Sequence, residues 1–202
     1  IRFRSLRWID RGRPAAGGMD DRPTLILAPE GDAVAARLAA ALPAATVQPL
    51  SAADPAAWMV GVAGPCRVIL RLVRDAGEFR GTIASGARLV RTLARAASGT
   101  PLDLLILSDA AIGTAPDDPA GDPAQRAVVA LAQVAVGREL EASRVRAVDL
   151  PASGLDGLPV EAVLTDPGAA SGEPAALRDG RRLEAVLEPV HAPALATPPR
   201  RV

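Results

Sequence analysis

A short acidic stretch holds the residues best suited to catalysis or metal binding. Ser108 and Asp109 end a continuous apolar run, and Asp117 and Asp118 follow in a loop rich in proline and glycine. Parallel α/β sheets bind ligands beyond the carboxyl ends of their strands, so carboxylates here would suit a cation or an acid–base pair. The alternative is a solvated loop in which Asp122 caps the next helix. The residue types favour the solvated loop.

The remaining reactive side chains are isolated. Cys66 is the only cysteine, so no internal disulfide forms, and its place at the start of an apolar run favours a core position. His191 is the only histidine, and alone it supports neither a catalytic triad nor a usual zinc site. The sequence also contains no tyrosine and no lysine. The Tyr–Lys mechanism of short-chain reductases is therefore impossible within these residues.

The first strand-to-helix turn lacks a dinucleotide-binding fingerprint. It reads Ala28-Pro29-Glu30-Gly31-Asp32, with a single glycine where the Gly-x-Gly-x-x-Gly pattern needs more. Pro29 removes an N–H donor, and the carboxylates of Glu30 and Asp32 would repel a pyrophosphate. We therefore expect this chain to bind no nucleotide cofactor of its own.

Composition and charge narrow the class of protein. The 202 residues are 49% hydrophobic and carry a formal net charge of zero, which gives no electrostatic reason to expect a nucleic acid or an anionic membrane as partner. No apolar run reaches the length of a transmembrane helix. The first residues do not read as a signal peptide, and the single cysteine fits a reducing compartment. We expect a cytoplasmic protein that is part of a longer polypeptide.

Strands and helices alternate along the chain. The organising unit runs from Leu102 to Leu150, with an apolar strand, a helix over Pro123–Leu140 and a second strand from Val145, which is the pattern of a βαβ unit. Apolar runs and helical periodicity before this unit predict strands at 24–28, 46–50 and 66–73, with helices at 33–42, around Trp58 and at 83–97. After it, a short helix is predicted at 159–164.

Both ends of the chain add strands to this alternating pattern. A lead strand is predicted at 3–9, and Asp179-Gly180 between alternating runs predicts a tight β-hairpin. The predicted fold class is α/β: a truncated Rossmann-like parallel sheet with helices on both faces, plus a lead edge strand and a C-terminal hairpin. We expect one such domain over residues 1–190, followed by a Pro/Ala/Arg-rich tail or linker over 191–202.

Several segments together resemble the structural subdomain of ketoreductases in modular type I polyketide synthases. The lead strand Phe3–Trp8 is similar to the family's opening strand, and Leu104–Ala111 to its central strand. The run from Asp122 to Pro151 and the hairpin Glu173–Leu183 are similar to later segments, in the family's order. Ser108-Asp109 stands where the family often has Thr-Arg, which points to a divergent member, either active or a pseudo-ketoreductase.

This resemblance implies a degenerate Rossmann-like half that precedes an NADPH-binding catalytic half. It implies a scaffold without catalytic, cofactor-binding or metal-binding residues, which is no enzyme on its own and braces or spaces a neighbouring domain in polyketide biosynthesis. Its partners would be the adjacent catalytic ketoreductase subdomain or other synthase domains. We predict that two edge strands dock on this partner through Phe3, Leu6, Trp8, Leu183 and Val186.

Three other interpretations are compatible with the sequence. The chain could be the N-terminal half of an active NADPH-dependent β-ketoacyl reductase whose cofactor and catalytic residues lie downstream. It could be a free-standing α/β enzyme that uses the loop after Leu107. It could also be an unrelated α/β interaction module that binds through an arginine face formed by Arg88, Arg91 and Arg95 at helical spacing.

Overall fold

The computed structural model describes residues 4–13, 18, 20–73, 79–97, 99–114, 121–168 and 174–189. Eight strands form one sheet: β1 (Arg4–Asp10), β2 (Thr24–Ala28), β3 (Ala45–Pro49), β4 (Cys66–Arg71), β5 (Leu102–Asp109), β6 (Arg144–Leu150), β7 (Ala175–Arg178) and β8 (Arg181–Pro189). Five helices accompany them: α1 (Ala33–Ala41), α2 (Pro55–Val60), α3 (Phe79–Ala96), α4 (Pro123–Ala135) and α5 (Val160–Leu164).

The sheet is mixed, with the strand order β1-β8-β7-β6-β5-β4-β2-β3. The strands from β2 to β7 pair in parallel, and β8 and β1 continue the sheet as an antiparallel pair. The α/β fold predicted from the sequence is therefore confirmed, including the lead edge strand and the C-terminal hairpin. In that hairpin Asp179 and Gly180 have φ angles of 50° and 70°, as a type I′ turn requires.

Two apolar cores lie on opposite faces of the sheet. Strand residues alternate between them, so Leu25 and Leu27 face the core under α2, α3 and α4, whereas Ile26 faces the core under α1 and α5. Both faces of the central strands are covered, which explains why β4 and β5 read as near-continuous apolar runs. Trp58 packs against the first core, as its place in the sequence predicts.

Side-chain caps fix where the helices begin. Asp32 accepts a hydrogen bond from the Ala35 amide at 2.7 Å and thereby caps α1. Asp122 caps α4 by accepting from the Ala124 amide at 2.8 Å, with proline at the first helical position. The cap predicted at Asp122 is therefore confirmed. The apolar periodicity continues to Leu140, but α4 ends at Ala135 and the chain passes into turns from residue 136.

Gly86 allows α3 to cross close to α4. A Cβ atom at this position would lie 2.5 Å and 2.9 Å from the two Cγ atoms of Val128. Valine is branched at Cβ and cannot move these methyl groups away by a simple rotation. The contact between the two helices therefore depends on the missing side chain of residue 86.

We predict that Gly86→Ala lowers the free energy of unfolding by about 1–3 kcal/mol through overpacking. In an uncrowded helix the same change would raise it by roughly 1 kcal/mol. Urea denaturation of the wild type, Gly86→Ala, Val128→Ala and the double variant measures the coupling between the two sites. With Val128→Ala as background, Gly86→Ala should no longer destabilise. Stabilisation by Gly86→Ala in the wild-type background would contradict the steric account.

Candidate functional site

The fold has one position where a ligand is expected. The strand order reverses between β2 and β4, and open α/β sheets bind ligands at the carboxyl ends of strands beside such a switch point. A crevice of about 340 Å³ opens there between α3 and the ends of β2 and β4. Leucines make up much of its wall, and its polar side chains are Ser51, Ser85 and Arg88. No acidic side chain of the described residues lines it.

Arg71, at the end of β4, places a buried cation next to the switch point. Its Nη2 lies 2.9 Å from Oδ2 of Asp109, and its Nε lies 3.5 Å from Oδ2 of Asp32. Its Nη1 also donates to the carbonyl oxygen of Leu72 at 2.8 Å. Because the side chain is only 3% exposed, these contacts take place away from bulk water. Two carboxylates that the sequence placed at this edge are thus engaged by the protein's own guanidinium group.

Asp109 has the electrostatic character of a possible acid–base group but lacks the companions of one. Burial raises the pKa of Asp109, the nearby Arg71 guanidinium lowers it, and the carboxylates of Asp32 and Asp149 raise it further, so that the net shift is upward. Raised carboxyl pKa values are common in catalytic acids. In the described residues, however, Asp109 pairs with Arg71, and the neighbouring carboxylates of Asp32 and Asp149 are themselves paired with arginines.

Ser108 belongs to a separate network on the opposite face of the sheet. Its Oγ donates to Oδ1 of Asp149 at 2.5 Å, and Asp149 also accepts from the backbone amides of Ala111 and Ile112 at 2.8 Å and 3.3 Å. Arg178 closes the network with a 2.6 Å contact from Nη2 to Oδ2 of Asp149. The network fixes the turn after β5 against β6 and β7, which explains these residues structurally. Asp117 and Asp118 lie outside the described residues.

The opposite, amino-terminal edge of the sheet holds a charged cluster that the sequence did not reveal. The carboxylate of Asp103 in β5 is 3% exposed and makes two hydrogen bonds each with Arg144 and Arg146 of β6, at 2.9–3.1 Å. Arg22 and Arg67 approach the same carboxylate at 3.5 Å and 3.6 Å. Burial raises the pKa of Asp103, but the hydrogen bonds from Arg144 and Arg146 outweigh it and hold the pKa below its usual range.

The predicted docking residues lie on the antiparallel pair formed by β1 and β8. Among the side chains that the structure describes, neither apolar core includes a residue of these strands, although Ala185 of β8 is fully buried. Trp8 stands opposite Ala185, whereas Val186 stands opposite Arg7 and therefore belongs to the other face. Side chains alternate between the two faces along β8, so Leu183 lies on the same face as Ala185 and Trp8.

The remaining predicted sites can be placed only in part. Trp8, Leu183 and Val186 are half-buried. The position of Leu6 in β1 is given by its backbone pairing with Leu187. Phe3 lies outside the described residues. Cys66 is a free, buried cysteine, and burial raises the pKa of its thiol, in agreement with the predicted core position. His191 also lies outside the described residues.

Neither a metal centre nor a membrane span is evident in the described part of the chain. Within it, no three histidine, cysteine, aspartate or glutamate side chains come together as metal ligands would. No described helix combines the length and hydropathy needed to cross a bilayer.

Comparison with solved structures relates this fold to ketoreductases. A ketoreductase from the first module of phoslactomycin biosynthesis in Streptomyces sp. HK803 matches 96% of this chain with a TM-score of 0.61 and 24% identity. A-type ketoreductases from a modular polyketide synthase match 96% with a TM-score of 0.64 and 22% identity. A keto acid-selecting nonribosomal peptide synthetase module containing adenylation, ketoreductase and pseudo-Asub domains matches 93%, with a TM-score of 0.66 and 17% identity.

This relationship is evident from the fold and not from comparison with family models or curated sequences. No protein-family model matches it, and no curated protein matches it. The chain corresponds to 40% and 43% of the length of the two polyketide synthase ketoreductases, and to 18% of the synthetase module. The molecule thus has the truncated Rossmann-like fold of one part of these ketoreductase structures. The predicted resemblance to a ketoreductase subdomain is confirmed at the level of fold.

We predict that Asp103→Asn lowers the free energy of unfolding by about 3–5 kcal/mol, because it leaves buried arginines without their counter-charge. The folded-state pKa of Asp103 is depressed, so its contribution is present above the ordinary aspartate pKa of about 3.9 and is lost as pH falls through the folded value. The stability difference between wild type and variant should therefore stay constant from neutral pH to about pH 5 and shrink below it.

Urea denaturation across this pH range measures that difference. Asp156→Asn is a matched control, because the Asp156 side chain is 82% exposed and its ion pair with Arg37 lies at the surface. The control should change the free energy of unfolding by less than about 1 kcal/mol. Equal effects of the two substitutions would refute the proposed role of Asp103.

Proposed function

We propose that this chain is a non-catalytic scaffold subdomain of a polyketide synthase ketoreductase region. The observation that carries the proposal is the state of the switch point. Arg71 lies beside it and pairs with Asp109 and Asp32, so the charged groups at these strand ends contact one another. The crevice itself offers only Ser51, Ser85 and Arg88 as polar side chains among the described residues. The strand-to-helix turn after β2 also presents Pro29 and Glu30 where a phosphate would need N–H donors.

The scaffold acts by docking its β1–β8 pair on a catalytic subdomain. This pair forms one end of the sheet, and Trp8 and Leu183 lie half-buried on the same face of it. Large aromatic side chains such as Trp8 often contribute strongly to interfaces. NADPH and the reacting substrate would be bound by the catalytic partner, and the present chain would brace it or hold its spacing to neighbouring synthase domains.

A second candidate differs only in the activity of that partner. The chain would be the N-terminal half of an active NADPH-dependent β-ketoacyl reductase. This interpretation is supported by the similarity to solved ketoreductases, in which the chain matches about two fifths of the length of two of them. In both candidates the present chain supplies the scaffold, and the adjoining half decides whether reduction takes place.

We predict that the isolated chain does not oxidise NADPH in the presence of a simple ketone, because it has neither tyrosine nor lysine to carry the reductase mechanism. Absorbance of NADPH at saturating ketone measures this against a protein-free blank. Turnover above the blank would refute the scaffold proposal. Adding the catalytic half of the same synthase as a separate chain distinguishes the candidates, since reduction then identifies an active ketoreductase and its absence a pseudo-ketoreductase.

We predict that Trp8→Ser weakens binding to this separately supplied catalytic half by roughly 30-fold, the loss typical of a tryptophan at an interface centre. Isothermal titration calorimetry measures the affinity. Leu183→Ser tests the same face, and Val186→Ser tests the opposite one. Val60→Ser is the matched control, because Val60 is 90% exposed in α2, away from the β1–β8 pair. Unchanged affinity in Trp8→Ser with the fold retained would refute docking through this face.

A further inference from the structure

We propose that the amino-terminal edge of the sheet binds a phosphate-type oxyanion through Arg22, Arg67 and Arg144. This site lies at the opposite edge of the strands from the switch point, and the inference is independent of the proposed scaffold function. It rests on an excess of buried positive charge and on guanidinium donors without acceptors. We call these three arginines, together with Arg146, Asp20 and Asp103, the amino-edge cluster.

The amino-edge cluster contains more positive than negative charge. Four guanidinium groups face two carboxylates, which leaves a formal surplus of two positive charges. Burial and the neighbouring Arg144 and Arg67 lower the pKa of Arg146, although Asp103 opposes this shift. Burying unbalanced charge is costly, and an added anion would relieve that cost.

More N–H donors approach the carboxylate of Asp103 than its oxygen atoms can accept hydrogen bonds from. Nitrogen atoms from all four arginines approach its Oδ2, those of Arg146 and Arg144 at 2.9 Å and 3.1 Å. Nη1 of Arg22 follows at 3.5 Å, and Nε of Arg67 is the most distant at 3.6 Å, too far for a good hydrogen bond. A carboxylate oxygen has about two lone pairs, so it cannot serve four donors.

Two N–H donors of Arg67 therefore have no hydrogen-bond acceptor in the described structure. Its Nη2 contacts both oxygens of Asp20 at 3.2 Å and 3.3 Å, but its Nε and Nη1 have no hydrogen-bond partner within the described structure. The side chain is only 4% exposed, so water cannot freely replace the missing acceptor. Unsatisfied buried donors are rare in proteins, and phosphate and carboxylate oxygens are the acceptors that a guanidinium fork fits best.

Three side chains of the amino-edge cluster are partly exposed. Those of Arg22 and Arg144 are 30% and 57% exposed, and that of Asp20 is 41% exposed. An anion would bind among these groups, and Arg67 would form the base of the site once one of them moves aside. The surplus of two charges matches the divalent form of phosphate or of a phosphate monoester at neutral pH.

Calorimetric titration of the full chain at pH 7.5 tests this inference. The probes are inorganic phosphate and glycerol 3-phosphate, with sodium chloride at equal ionic strength as the blank. We expect saturable binding of phosphate, which separates a site from the general salting effect of phosphate on stability. Arg144→Gln should weaken the affinity about 10-fold or more, the loss of one charge-assisted hydrogen-bonding group.

Variants keep the test interpretable if the buried arginine is needed for folding. Arg67→Gln should abolish binding of phosphate. If Arg67→Gln does not fold, Arg22→Gln and Arg144→Gln, at the more exposed rim of the site, test the same inference. Arg37→Gln is the matched control, because it removes one partly exposed arginine in α1, outside the cluster, and it should leave the affinity unchanged.

Each outcome supports or overturns the inference. Saturable binding that Arg144→Gln weakens and Arg37→Gln does not supports it. Binding of phosphate alone then identifies a free ion as the ligand, and binding of both probes identifies a phosphate group that a larger molecule could carry. Absence of saturable binding in the wild type, or equal losses in Arg144→Gln and Arg37→Gln, would overturn it.

Discussion

Buried charge is the constraint on which this structure depends. At least seven charged side chains of the described residues are buried, namely Arg67, Arg71, Asp103, Arg146, Asp149, Asp166 and Arg182. Each lies near an end of its element and meets an opposite charge there, whereas the middles of the strands are apolar. Because a buried charge without its partner is strongly unfavourable, these pairs restrict which strands can be neighbours and in which register.

The amino-edge cluster shows what such pairing achieves. Arg146 binds Asp103 in the neighbouring strand and also donates to the carbonyl oxygens of Leu164 and Asp166 at 2.8 Å and 2.7 Å. It therefore joins the sheet to the end of α5, a helix too short to be held by its own backbone hydrogen bonds. Asp166 then pairs with Arg182 of β8 at 2.6 Å. At the amino-terminal edge, these ion pairs thus add to the cover that α1 and α5 give to this face of the sheet.

Local sequence patterns predicted the elements well because their causes are local. The strand at 24–28 and the Asp179-Gly180 hairpin depend on apolar runs and on turn chemistry, and both were found at the predicted positions. The start of α4 follows from Asp122, whereas its end was predicted too late because apolar residues continue beyond the last helical turn. The helix α3 begins at Phe79, four residues before the predicted start, in a segment with weak apolar periodicity.

The partners of the chemically interesting residues could not be predicted in this way. Asp103 and Arg146 are 43 residues apart, and Ser108 and Asp149 are 41 apart, so each pair exists only through the pairing of β5 with β6. The signal available in the sequence is a charged residue inside an apolar strand. This signal singles out Asp103 and Asp149 but does not identify their partners. The prediction that both docking strands are edge strands holds for β1, which carries Trp8, but not for β8, which pairs with β1 on one side and with β7 on the other. Only the strand register separates Val186 from Trp8 and Leu183.

The pairing of β1 with β8 also has a consequence for how the molecule forms. Arg4 lies opposite Pro189 and Asp10 opposite Leu183, so the first strand pairs with the last described one. Closing so long a loop is entropically unfavourable until the intervening sheet has brought the two ends together. During synthesis, the first strand must therefore wait until almost the whole domain has been made. This places the exposed β1 edge among the last parts of the chain to become ordered and among those most open to mispairing in the nascent chain.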